Sequence, residues 1–190
     1  MGHLIYSAAP KAFALVCIAH LSGCASVAVE AAHLAIDEVT FNRKIDAAWS
    51  GDPAAQYAVG KALCCSGDTA EGTVYNTAEA LFWLCRAADR GNVDAMEKLA
   101  QIFEGDQVDG LRMIRRAISA LSGTPQNRAA AYYWYVQADS AGRAAAGETA
   151  ADLHAKMSLA EQEKAARYFD DAPRPCSWAD LAGPSEGAGS

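Results

Sequence analysis

Between Ala78 and Gly105 the chain reads AEALFWLCRAADRGNVDAMEKLAQIFEG. Apolar and small residues recur there at helical spacing, once before Gly91 and once after it, with polar residues between. The stretch predicts two short amphipathic helices hinged at Gly91-Asn92. Gly51, Gly91 and Gly142 each follow an Ala-rich run and precede another, at spacings of 40 and 51 residues. After Gly51 stand Ala55, Val59, Gly60 and Leu63; after Gly91, at the same offsets, stand Ala95, Leu99, Ala100 and Phe103. Those offsets return to one side of a helix, so each copy carries an apolar stripe with a small residue beside it. Tyr57 is counted with the core of the first copy. The third copy keeps Ala146, Ala150 and Ala151 but has His154 in the last place, and is degenerate.

The helices before the glycines match more closely. Ala80, Phe82, Trp83, Ala87 and Gly91 align with Ala131, Tyr133, Trp134, Ala138 and Gly142 at a constant offset of 51. Ala47-Ala48-Trp49-Ser50-Gly51 reads as the worn tail of an earlier copy. Small residues let helices approach closely, aromatics fill the space between them, and a left-handed glycine lets the chain reverse. A period near forty with helical content signals repeats that bury their apolar faces only by stacking. The expected fold is all-α: a short α-solenoid of antiparallel helix pairs over residues 41–170, with a helical insertion at 106–126.

The pattern AxxxLGxxY, a loop, then AxxWxxxAAxxG resembles the Sel-1-like repeat, a relative of the tetratricopeptide repeat. The matching residues are Ala55, Val59, Gly60 and Leu63, then Ala80, Trp83, Ala87, Ala88 and Gly91. The match continues through Ala95, Leu99, Ala100 and Phe103 to Ala131, Trp134, Ala138 and Gly142. It covers residues 41–157, and Leu63 departs from it where tyrosine is usual. The resemblance implies an adaptor scaffold for protein assemblies, with no catalytic residue to carry over.

The first residues read differently. Lys11 precedes the apolar run Ala12-Phe13-Ala14-Leu15-Val16-Cys17-Ile18-Ala19, followed by His20 and Leu21-Ser22-Gly23-Cys24. A positive residue, a short apolar segment and small residues before a cut make a secretory signal, far short of the roughly 20 residues of a membrane span. Leu-Ser-Gly-Cys resembles the bacterial lipobox. That implies a signal peptide over 1–23, lipidation of Cys24 and membrane attachment through it. With Ala25 next, the resemblance implies an outer-membrane lipoprotein of the cell envelope facing the periplasm. A misread start site would instead leave a cytoplasmic protein. Residues 24–40 form the anchor and an N-terminal linker or helix.

Composition narrows the partners. Hydrophobic residues make up 52% and aromatics 8%, so alanine carries the apolar fraction. Net charge is −7, from 16 basic and 23 acidic side chains, which argues against nucleic acid as a partner. Four cysteines follow Cys24: Cys64, Cys65, Cys85 and Cys176. In an exported chain an even number reads as disulfide candidates, and four allow three connectivities. Pairing adjacent residues strains the backbone, which favours one each of Cys64 and Cys65 with Cys85 and Cys176. Buried thiols acting as small hydrophobes are the alternative.

The remaining elements follow from caps and breaks. Asp52-Pro53 opens a helix to about Cys65, Asn76 or Thr77 caps the helix 78–90, and Asn92 caps the next. In the insertion, Leu111, Ile114, Ile118 and Leu121 form one stripe, with Arg112, Arg115 and Arg116 off it. Those arginines are candidate contacts for an acidic partner. Tyr132, Tyr133, Trp134 and Tyr135 run consecutively and cannot all face inward, so Tyr132 or Tyr135 is a candidate partner contact. Ser158-Leu159-Ala160-Glu161 is a capping box for a terminal helix. Pro173, Pro175 and Trp178 break the chain into a Pro/Gly-rich tail over 171–190, disordered at its end.

No phosphate loop, CxxC or HExxH motif is present, and beyond the signal segment only His33 and His154 remain, too few for a histidine metal site. No catalytic, cofactor-binding or metal residue is assigned. The reading is a lipid-anchored helical-repeat scaffold for protein or peptide partners. Its rival is an envelope enzyme using a reactive cysteine, redox-active or hydrolytic, as in β-lactamase-like members of the family.

Overall fold

The computed structural model describes residue 32 and residues 34–65, 76–105, 126–170 and 173–182. Among them every regular element is an α-helix: α1 (34–49), α2 (Pro53–Leu63), α3 (Thr77–Ala88), α4 (Val93–Glu104), α5 (Arg128–Ser140), α6 (Ala144–Ala155), α7 (Leu159–Asp170) and α8 (Trp178–Ala182). The segment read as signal peptide, Cys24, the 66–75 loop, Arg112, Arg115 and Arg116 of the insertion, and the end of the tail lie outside the described residues.

Three turns share one hydrogen-bonding scheme. Gly51, Gly91 and Gly142 have φ of +97°, +81° and +102°, a region that costs other residues strain. In each, the glycine N–H donates to the carbonyl three residues back: Ala48, Ala88 and Asp139, at 3.1, 2.9 and 2.8 Å. The next N–H donates five residues back: Asp52 to Ala47, Asn92 to Ala87 and Arg143 to Ala138, at 3.1, 3.0 and 2.9 Å. This pair of bonds closes the carbonyls a helix end leaves open. At the first two turns the same residue opens the following helix. Asp52 accepts from the Ala54 and Ala55 N–H groups, and Asn92 accepts from Ala95 N–H. Arg143 has no capping oxygen to offer.

The other junctions also recur. Asn76 caps α3 and donates its own N–H to Leu63 O at 2.9 Å; Asn127 caps α5 and donates to Phe103 O at 2.8 Å. Each asparagine thus closes one helix and opens its partner. The helices pack as α2 on α3 and α4 on α5, linked by α3 on α4 and α5 on α6; α7 lies on α5, and α8 touches α3.

The core runs along these contacts. Val59, Ala80, Ala87, Ala95, Leu99, Phe103, Ala131 and Ala138 are fully buried, with Leu63, Trp83 and Trp134 nearly so. Tyr57 is half-buried at the edge of this core. The two tryptophans have matching neighbours: Phe82 meets Trp83 and Tyr133 meets Trp134, both pairs with centroids 5.1 Å apart and planes at 79°. The third copy differs. Leu153 and Met157 fill the core there, while Ala151 is exposed and His154 half-buried.

The tail supplies a correction. Trp178 opens the short α8 rather than ending structure, because Ser177 and Asp180 form a capping box: Asp180 Oδ2 accepts from the Ser177 N–H at 2.9 Å. Residues 173–182 run back over the helices as a strap. Trp134 Nε1 donates to Pro175 O at 2.8 Å, Asn127 Nδ2 donates to Asp180 O, and Arg174 pairs with Asp89. The Ser158–Glu161 box at α7 is formed as the sequence expects. Its hydrogen bond from the Ser158 backbone N–H holds the Glu161 carboxyl below its ordinary pKa.

Gly60 marks the closest approach of α2 and α3. A Cβ there would stand 2.7 Å from Leu84 Cγ and 3.1 Å from its backbone nitrogen. Gly60→Ala gains roughly 1 kcal/mol of helix propensity but meets an overpacking cost of about 1–3 kcal/mol. Because the obstacle includes backbone, the cost prevails. Urea denaturation should show Gly60→Ala less stable by about 1 kcal/mol; an unchanged or raised midpoint would contradict this packing.

Candidate functional site in the grooves between helices

The side of α2 and α4 away from the core is polar at helical spacing. Tyr57 and Lys61 stand one turn apart on α2; Asp94, Glu97 and Gln101 form a row on α4, with Lys98 buried beside them. Between them lies a groove of about 210 Å³ lined by these six side chains. Arg143, at the turn into α6, reaches back to pair with Asp94 and, at 3.4 Å, with Glu97. The pairs are exposed, and such pairs add little to stability. What they fix is the spacing of positive and negative groups along the groove. Such a surface can meet an extended segment through hydrogen bonds and alternating charge.

A second groove, of about 350 Å³, separates α5 from α6. Tyr132 stacks on His154 with centroids 5.0 Å apart and touches Phe169 at 6.1 Å. Ala150, Ala151 and Gly147 form the floor. Gly147 is there for closeness: a Cβ would lie 2.7–2.9 Å from the Asp139 carboxylate. Of the two tyrosines read as candidate contacts, Tyr132 is the one that reaches a surface. Tyr135 is buried, and its hydroxyl donates to Glu104 Oε2 at 2.8 Å.

The cysteines are arranged otherwise than their order suggests. Cys64 and Cys65 form one close pair, both buried where α2 ends. Cys85 faces Cys176 of the strap, with Cα atoms 5.9 Å apart, the ordinary spacing of a disulfide. The cross-pairing expected from sequence rested on the strain of joining adjacent residues; in the fold the strap brings Cys176 to Cys85 of α3 and leaves Cys64 and Cys65 to each other. His154 packs on Tyr132, between α5 and α6. Among the described residues no group of three or more His, Cys, Asp or Glu side chains could hold a metal ion. No described helix is long and apolar enough to cross a membrane.

Burial perturbs two tyrosines. The Tyr133 hydroxyl is raised above its usual pKa chiefly by desolvation, as is Tyr168, whose oxygen accepts from Asn127. Both lie where α7 covers α5, and neither lines the two grooves described above.

Sequence reasoning missed the strap residues Arg174, Pro175 and Asp180. Its available signal was the Ser177-x-x-Asp180 box beside Cys176. The groove charges were also passed over, because Lys61, Asp94 and Glu97 look like any solvated helix face until a second helix stands opposite. No protein-family model, curated protein or solved structure matches the chain.

Proposed function

We propose that this protein is a Sel-1-like α-solenoid, anchored by lipid at Cys24 in a bacterial envelope, that binds protein or peptide partners. The supporting observation is the threefold reversal at Gly51, Gly91 and Gly142 with its shared hydrogen bonds. Each of α2, α4 and α6 follows one of these reversals. The mechanism is shape and charge placement. The groove between α2 and α4 takes an extended segment, with Tyr57 and Lys61 on one wall and Asp94, Glu97 and Gln101 on the other. Confinement by the anchor raises the local concentration of partners on the same membrane, so modest affinity suffices. The outer membrane, facing the periplasm, is the assigned location.

The anchor carries its own test. Cys24→Ser should release the protein from the membrane fraction and abolish globomycin-sensitive processing; unchanged membrane recovery and size refute lipidation. The groove is tested on the native lipoprotein by cross-linking in envelope preparations. A specific cross-linked product should be lost in the Tyr57→Ala/Lys61→Glu double variant while circular dichroism stays unchanged. Cross-linking that ignores both substitutions removes the groove from the account.

In an oxidising compartment the two cysteine pairs become disulfides. Closing a loop between Cys85 and Cys176 stabilises the fold by about 2–4 kcal/mol, chiefly by restricting the unfolded chain. Peptide mapping of the exported protein should find Cys85 joined to Cys176 and no free thiol among Cys64, Cys65, Cys85 and Cys176. A free, reactive thiol at any of them would instead favour the cysteine-enzyme reading.

A further inference from the structure

The outer side of α3 departs from its counterpart in a way the repeat does not require. Phe82, Arg86 and Arg90 correspond to Tyr133, Gln137 and Ala141 at the offset of 51. On α5 the aromatic is covered: Tyr133 is 6% exposed beneath Tyr168 and Phe169 of α7. On α3, Phe82 is 42% exposed and its neighbour Trp49 is 59% exposed. Trp49 stands against both Phe82 and Trp83, at 6.2 and 4.6 Å between centroids. The same place in the pattern is therefore closed in one copy and open in the other.

Beside Phe82 is a cavity of about 270 Å³, lined by Phe82, Cys85, Arg86, Asp89, Arg174 and Cys176. Arg174 is neutralised by Asp89. Arg86 is not: its guanidinium lies over the Phe82 ring at 5.3 Å, with no carboxylate in ion-pair range among the described residues. Its Nε is buried without a hydrogen-bond partner. A buried donor without an acceptor is costly, and a guanidinium fork matches a carboxylate through two parallel bonds. In a chain of net charge −7, this cavity joins the apolar surface of Phe82, Cys85 and Cys176 to a paired Asp89–Arg174 and an unneutralised Arg86.

We propose that this cavity receives the C-terminal carboxylate of a partner polypeptide whose last residue is apolar; this rests on the reading of the protein as a partner-binding scaffold. A chain terminus presents a carboxylate and a side chain from one Cα. The carboxylate meets Arg86, and the side chain lies against Phe82 and the Cys85–Cys176 wall. Trp49 flanks the residues that precede it. The volume is below the roughly 300 Å³ at which small-molecule pockets begin, which suits one terminal residue better than a whole metabolite.

The test uses the full-length chain and fluorescein-labelled hexapeptides ending in phenylalanine, followed by polarisation. The free-acid peptide should bind about tenfold or more tightly than its amide, as expected for a lost charge-assisted contact. Arg86→Gln, which installs the residue type of the second copy, should erase that preference with an unchanged melting profile, and Arg86→Lys should keep part of it. Equal binding of acid and amide, no binding of either, or a preference that survives Arg86→Gln overturns the proposal. An amide carrying an internal glutamate that binds as tightly as the free acid overturns it too, since the occupant would then be an acidic side chain. Failure here with groove-dependent cross-linking intact sinks the terminus site alone; loss of both sinks the scaffold reading.

Discussion

The reversal at a left-handed glycine is the constraint on which the rest of the structure depends. A helix of about a dozen residues cannot bury its apolar side alone, and its last carbonyls need partners. The bonds around Gly51, Gly91 and Gly142 satisfy those carbonyls and turn the next helix back against its neighbour. Asp52 and Asn92 then spend one residue on two tasks, ending one helix and capping the next. The alanine-rich interfaces and the paired aromatic clusters around Trp83 and Trp134 follow from that geometry.

Where the copies diverge, each change has a local physical reason. The third turn has an arginine in place of a capping side chain, and that arginine ties α4 to the turn through Asp94 and Glu97. The two indoles have similar rings around them but different fates at the nitrogen. Trp134 donates to Pro175, whereas Trp83 Nε1 has no acceptor among the described residues. The strap meets α3 through Cys176 and Arg174 but brings no acceptor to Trp83. The outer sides of α3 and α5 end up chemically distinct although the backbone beneath them is alike.

Local chemistry was readable from the sequence and distant chemistry was not. The glycine turns, the Asp52, Asn76 and Asn92 caps and the Ser158–Glu161 box all act within a few residues, and each fell where expected. Helix ends were overrun by a residue or two, as at Cys64 and Cys65, where apolar side chains continue past the last helical bond. Tyr135 could not be told from Tyr132, because facing inward depends on which helix lies opposite. Cys176 was legible as a cysteine with a partner, but its contact with Cys85 spans 91 residues of chain. The groove between α2 and α4 shares that difficulty: Lys61 and Glu97 acquire meaning only when two helices from separate copies stand side by side.

The strap also orders events in time. Trp134 lies in the middle of the fold, yet its indole N–H waits for the carbonyl of Pro175, near the end of the chain. A polypeptide emerging from its N-terminus can stack α2 through α6 long before that acceptor exists, since units tend to fold as they appear. Pro175 follows Trp134 by 41 residues, so this latch is among the last the chain can close. Until it closes, the seam beneath Pro175 is the place where water, a chaperone or a second chain can enter.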